Sequence, residues 1–249
     1  MIWLGLMLLG CAVADIVNRP QAPRVLPEAT GAAVVVLAGV VAGQHRPLDL
    51  LVLVVIAAFV VAWSRSSTRA LDQASPVIPL TVLGVGVGLM VVLSGLASPV
   101  SGPLAALWSE IDWPPAARVS PERALLVLGV LAAQLSTGNV VVRLVLAATR
   151  TVNPARWSSG AATDPADPAH DIKGGRLLGP MERVLIIGLG LAGNLTAASI
   201  VVAAKGLLRF PELSSRRDQE HVHRLTEYFL VGSFVSWMLA LVSLALLAG

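Results

Sequence analysis

Ser136, Asn139 and Arg143 stand three and four positions apart in an otherwise apolar run, a spacing that puts them on one face of a helix. A hydroxyl, an amide and a guanidinium so placed suit either of two tasks. They can line a path for an ion or polar solute, or they can hydrogen-bond and ion-pair with neighbouring helices. Gln134 lies near the midpoint of the same run on another face. The next long apolar run is fenced by Glu182 and Arg183 before it and by Lys205 and Arg209 after it, with Asn194 inside, and Glu227 opens the last run. If these runs are consecutive membrane spans, alternation of sides brings Arg143 within reach of Glu182, and Lys205 or Arg209 towards Glu227. Charges at membrane depth are tolerable when paired and costly when alone. Asn194, level with Gln134 and Ser136 in that arrangement, is expected to hydrogen-bond across helices for about 1 kcal/mol.

Other chemistry is less well supported. Asp164, Asp167, His170 and Asp171 offer oxygen and nitrogen ligands but match no metal loop, so a solvated acidic loop is the preferred reading. Glu220, His223 and Glu227 have helical spacing and are read as a charged turn at a helix entrance rather than as a metal site. No nucleophile, base and orienting group converge around Glu182, Glu227 or His221 and His223, so an enzyme ranks last and no catalytic, cofactor-binding or metal-binding residue is assigned. Gly188, Gly190 and Gly193 spell a literal GxGxxG after Val184–Ile187. A dinucleotide site needs a second strand ending in an acid about 20 residues on. Glu212 has the distance, but the residues before it continue a helix.

The elements that must carry these residues are apolar rods. Val184 to Ala204 is 21 residues without an ionisable side chain, enough at 1.5 Å per residue to cross a hydrocarbon core of about 30 Å. Ala124–Thr149 and Glu227–Leu247 read as the spans before and after it. Met1 to about Val17 reads as a membrane helix in preference to a secretory or lipoprotein signal. Gly31–Gly43 and Leu48–Trp63 are shorter runs, read as a tight helical hairpin split by Gln44–Pro47, with re-entrant segments as the alternative. Ala74–Val100 gives a further span, in which Gly84 and Gly88 form a small-xxx-small pair. Ser64–Gln73 reads as a short polar loop, the 150–177 segment as a flexible loop, and Pro211–Thr226 as a loop or surface helix. Leu104, Trp108 and Ile111 suggest a short surface helix near 103–113. Five of the six tryptophans, Trp3 and Trp63 among them, sit near run ends as an interfacial belt requires; only Trp237 falls inside a span.

Composition agrees. Hydrophobic residues make up 55% and charged residues 13%, against about 25% charged in soluble domains. The net charge of +3 is scattered through short loops, which suits anionic lipid better than nucleic acid. The one cysteine, Cys11, excludes an internal disulfide. With seven spans the loop basic residues divide eight to nine between the two sides, so orientation stays open.

The segments GRLLGPMERVLI, VVAAKGLLRF and TEYFLVGSFVSW carry Gly175, Arg176, Gly179, Glu182, Arg183, Ala204, Lys205, Arg209, Phe210, Glu227, Tyr228, Gly232 and Ser236. In these positions the C-terminal 75 residues resemble bacterial membrane proteins grouped as domain of unknown function 3307. Thr137–Ala147 extends the likeness. The N-terminal part departs from the family's early His, Asp and Gln, with only Asp15 and Asn18 comparable. The resemblance implies membrane topology and the importance of the charged positions, and it lends no activity.

The expectation is an all-α, multi-pass transmembrane bundle of six or seven spans. Residues 1–123 form an N-terminal set of helices and 124–249 a three-helix unit. The expected role is a non-catalytic component of the cell membrane acting by helix packing or partner assembly, with lipid around it and a membrane-protein partner or second copy beside it. The alternative is a small-solute or ion transporter lined by Gln134, Ser136, Asn139, Arg143 and Asn194.

Overall fold

A computed structural model describes residues 1–19, 23, 25–73, 75–112, 119–149, 175–214 and 219–248; within these, the side chains of 71–73, 175–177, 205–206, 208–214 and 219–226 lie outside the description. Every regular element among the described residues is helical. Ten α-helices follow in order: α1 Ile2–Val17, α2 Val25–Val41, α3 Pro47–Gln73, α4 Val77–Val92, α5 Gly102–Ser109, α6 Pro121–Leu135, α7 Thr137–Ala148, α8 Gly175–Leu191, α9 Leu195–Ser214 and α10 Gln219–Ala248. A 3₁₀ turn, Leu93–Leu96, extends α4. Among the described residues, three stretches are long and apolar enough to cross a membrane: Pro47–Ala70, Val77–Leu96 and Glu227–Ala248. The interrupted pair α6 and α7 makes a fourth if it counts as one broken span. Among the described residues, α1, α2 and Leu195–Ala204 are apolar helices of 10–17 residues.

Two compact units emerge: Met1–Ser66 with Pro79–Thr137, and Ser67–Ile78 with Gly138–Gly249. In the first, α1 is the core. Ile2, Leu4, Leu6, Met7, Cys11, Ala12 and Ala14 are all buried, packed mainly by α2 and α6. Glycines permit the approach. A Cβ on Gly129 would lie 2.3 Å from the Gly5 carbonyl oxygen, and one on Gly31 would lie 2.8 Å from that of Gly10. Lipid tails are as apolar as the helices, so this contact between backbones, rather than escape from water, holds membrane helices together.

The second unit contains a helical hairpin where a single span from Val184 to Ala204 was expected. The rod stops because Gly193 takes φ +76, its N–H donates to Gly190 O and the Asn194 N–H to Leu189 O. This pair of bonds is the left-handed glycine stop. Asn194 then begins α9, its Oδ1 accepting the Ala197 N–H at 3.2 Å. α8 therefore packs against α9 and, more extensively, against α10.

Other expectations are corrected too. Ala124–Thr149 is not one rod: α6 ends at Leu135 and Ser136 takes φ −126, ψ −70 before α7 begins. Ser64–Gln73 is helical rather than a polar loop, because α3 runs on through Arg65, whose guanidinium reaches Glu28 in the first turn of α2. The surface helix expected near 103–113 appears as α5. The loop at 150–174, with its acidic residues, lies outside the described residues.

Candidate functional site

The first unit gathers buried polar groups at both ends of α1. Near its start, the Trp3 indole donates to Gln44 Oε1 at 3.2 Å, and Gln44 Nε2 donates to Ser98 O at 3.0 Å. The Ser98 backbone N–H and hydroxyl both donate to the Asp49 carboxylate. Trp3 and Asp49 are each 1% exposed and Gln44 is fully covered. Asp49 sits in the first turn of α3, where the unpaired amides of a helix start favour negative charge. Gln44 can occupy this place because the preceding residue ends α2 with the same glycine stop. Gly43 has φ +78, Gly43 N donates to Val40 O and Gln44 N to Gly39 O. A Cβ on Gly43 would fall 2.1 Å from Ser101 Oγ.

At the other end of α1, Asp15 stands in the last turn, where the helix carbonyls disfavour a carboxylate. Donors from elsewhere compensate: the Trp63 indole at 3.1 Å and the Thr137 hydroxyl at 2.6 Å, both to Oδ2. The Ser136 hydroxyl, within reach of Ala132 O at 3.1 Å, also reaches Ala12 O at 3.0 Å and so ties the break after α6 to α1. Trp3 and Trp63 are thus buried hydrogen-bond donors rather than members of an interfacial belt. Their run-end positions were legible, but partners 41 and 48 residues away were not.

The second unit is built differently. Arg183, 1% exposed, extends from α8 to donate through Nη2 to Asn139 Oδ1 on α7. Among the described residues its Nε–H has no hydrogen-bond partner, and neither has the buried hydroxyl of Ser236 on α10. Glu182 beside Arg183 is buried, and Arg143, one turn after Asn139, lies on the exposed side of α7. The packed face of α10 is a ladder of small residues, Ser233, Ser236, Ala240 and Ser243. Register fixes the heights. Gly190 abuts Leu244, since a Cβ there would lie 2.4 Å from Leu244 Cδ2. Gly190 and Leu244 lie near the C-terminal ends of α8 and α10, so with these helices parallel, seven residues back along each sets Arg183 level with Trp237 and within about 1.5 Å in height of Ser236. Gly232 faces Val142 and Leu146 of α7 while Asn139 of α7 meets Arg183, so in this register α7 runs opposite to α10. Trp237 is ten residues after Glu227 and eleven before Ala248. Arg183 is therefore at mid-height of the 22-residue apolar stretch of α10.

The expected polar set is divided by this structure. Gln134, buried in α6, and Ser136 belong to the first unit, whereas Asn139, Arg143, Glu182, Arg183, Asn194, Lys205, Arg209 and Glu227 belong to the second. Asn194 caps its own helix at the hairpin tip. Glu227 is exposed at the start of the apolar stretch of α10. The side chains of Lys205 and Arg209, and of Glu220, His221 and His223, lie outside the described residues. The residues that sequence reasoning missed are Trp3, Gln44, Asp49, Trp63 and Ser98. No family model matches the chain, and no curated protein or solved structure shows significant similarity to it.

Proposed function

We propose that this protein is a non-catalytic, multi-pass component of the cell membrane that acts through helix packing and assembly with a membrane-protein partner or a second copy of itself. In this reading α1, α2 and the apolar half of α9 join α3, α4, α10 and the α6–α7 pair in six or seven spans, and α8 packs among them as a helix with a polar centre. One observation carries it: at both ends of α1 the buried polar side chains bind other helices and connections of the same unit, the use expected of groups that fix packing. The likeness of the last 75 residues to domain of unknown function 3307 is consistent with such a role.

A second reading, transport of a small ion or solute, is favoured by Arg183, because a guanidinium at mid-height of an apolar bundle is often part of a pathway. Purified full-length protein in liposomes separates the two. The packing reading expects vesicles as tight to ions and small solutes as protein-free ones, together with a defined oligomer or complex by native mass measurement. Saturable flux that falls in Asn139→Ala would replace it with the transport reading.

A further inference from the structure

We propose that the junction of α7, α8 and α10 binds a small inorganic anion of the chloride class, held by the Arg183 Nε–H and the Ser236 hydroxyl. Two side chains, each more than nine-tenths covered (1% and 4% exposed), carry a polar atom, Arg183 Nε and Ser236 Oγ, that meets no hydrogen-bond partner among the described residues. They come from different helices, and the register set by Gly190–Leu244 puts them in one layer. Ser236 follows Gly232 by one turn, so it shares the face that meets α7, and Arg183 meets α7 at Asn139. An N–H and an O–H set in one layer by two helices make a donor pair, which an acceptor with negative charge satisfies best.

Charge points the same way. The Arg183 guanidinium is a buried positive charge, and an anion accepting from it is held more strongly than a neutral acceptor. A spherical anion needs no further shape from the site, and the buried side chains of α10 nearest this layer, Ser233, Ser236 and Ala240, are small. The inference does not depend on whether the protein is a passive component or a carrier, since binding, not movement, is what it asserts. Water is the competing occupant, because one molecule can accept from Nε and donate to Oγ.

The test is thermal unfolding of the full chain in detergent, titrated with sodium chloride against sodium isethionate at constant ionic strength. The anion account expects a saturable rise in melting temperature with chloride, since a ligand bound only by the folded state stabilises it by mass action. That rise should be lost in Ser236→Ala, a change small enough to keep the fold, and lost in Arg183→Lys, which keeps the charge but removes the Nε–H. Bromide should replace chloride and give an anomalous scattering peak between the two residues. Superimposable chloride and isethionate curves in the wild type overturn the proposal and assign the layer to water, and a chloride effect undiminished in Ser236→Ala overturns it as well.

Discussion

The turn after α2 and the turn after α8 are closed by the same device, yet they serve opposite ends. Gly43 and Gly193 both adopt the left-handed conformation, and both are followed by an amide residue. In the first unit that residue, Gln44, turns inward and links Trp3 of α1 to the segment after α4. In the second, Asn194 stays at the exposed tip and caps the returning helix. The buried polar groups follow suit. Around α1 they come in donor–acceptor sets drawn from helices and connections far apart in sequence, while the junction of α7, α8 and α10 buries a guanidinium and a hydroxyl with donors left over. The clusters at the two ends of α1 are closed by their own hydrogen bonds, and that junction asks for something more.

The contrast can be broken most forcefully at the glycine seam. Gly129→Ala places a methyl against the Gly5 carbonyl, with no flexible side chain to yield. It should cost about 3 kcal/mol in reversible unfolding of the full chain. Gly188→Ala in α8, with open space around it, should be neutral or stabilising by up to about 1 kcal/mol through helix propensity. Equal losses at the two positions would dissolve the distinction between the units. Next comes Asp49→Ala, which strands the buried N–H and hydroxyl of Ser98; about 2–3 kcal/mol should be lost, read from the same unfolding curves.

Asn139→Ala sharpens the comparison from the other side. It removes the acceptor of Arg183 Nη2 and should cost about 2 kcal/mol. If the layer binds an anion, chloride at high concentration should recover part of that loss, whereas it should recover none of the loss in Asp49→Ala. The smallest effect belongs to the ion pair between Arg65 and Glu28, which is largely open at the arginine. Arg65→Gln should leave the melting temperature unchanged within error, as exposed pairs usually do.

Sequence reasoning reached the helical class and the apolar helices of membrane length because composition and long uncharged runs report an apolar surrounding directly. It recognised the hairpin at Gln44–Pro47, where four polar residues or prolines interrupt the apolar run. The equivalent stop at Gly193–Asn194 escaped notice because Ala192 and Leu195 on either side keep the run apolar, so the count of uncharged residues outweighed the glycine followed by a helix-capping amide. Ser136–Thr137–Gly138 likewise carried a break signal inside a run read as continuous. The Asp15–Trp63–Thr137 cluster had no local signature at all: its members are 48 and 122 residues apart, and only the packing of α1 brings them together.

The arrangement of the second unit rests on the hairpin, since it is the turn at Gly193 that makes α8 parallel to α10 and sets Arg183 at mid-height. The direct measurement is labelling of Asn194→Cys by a membrane-impermeant maleimide in the full chain reconstituted into nanodiscs. The unmodified protein serves as control, because its only cysteine, Cys11, is buried. The hairpin predicts prompt labelling at position 194, which lies level with the end of α10, and no labelling of the control. A cysteine there that stays protected until detergent dissolves the bilayer would place residue 194 inside the membrane and contradict the account.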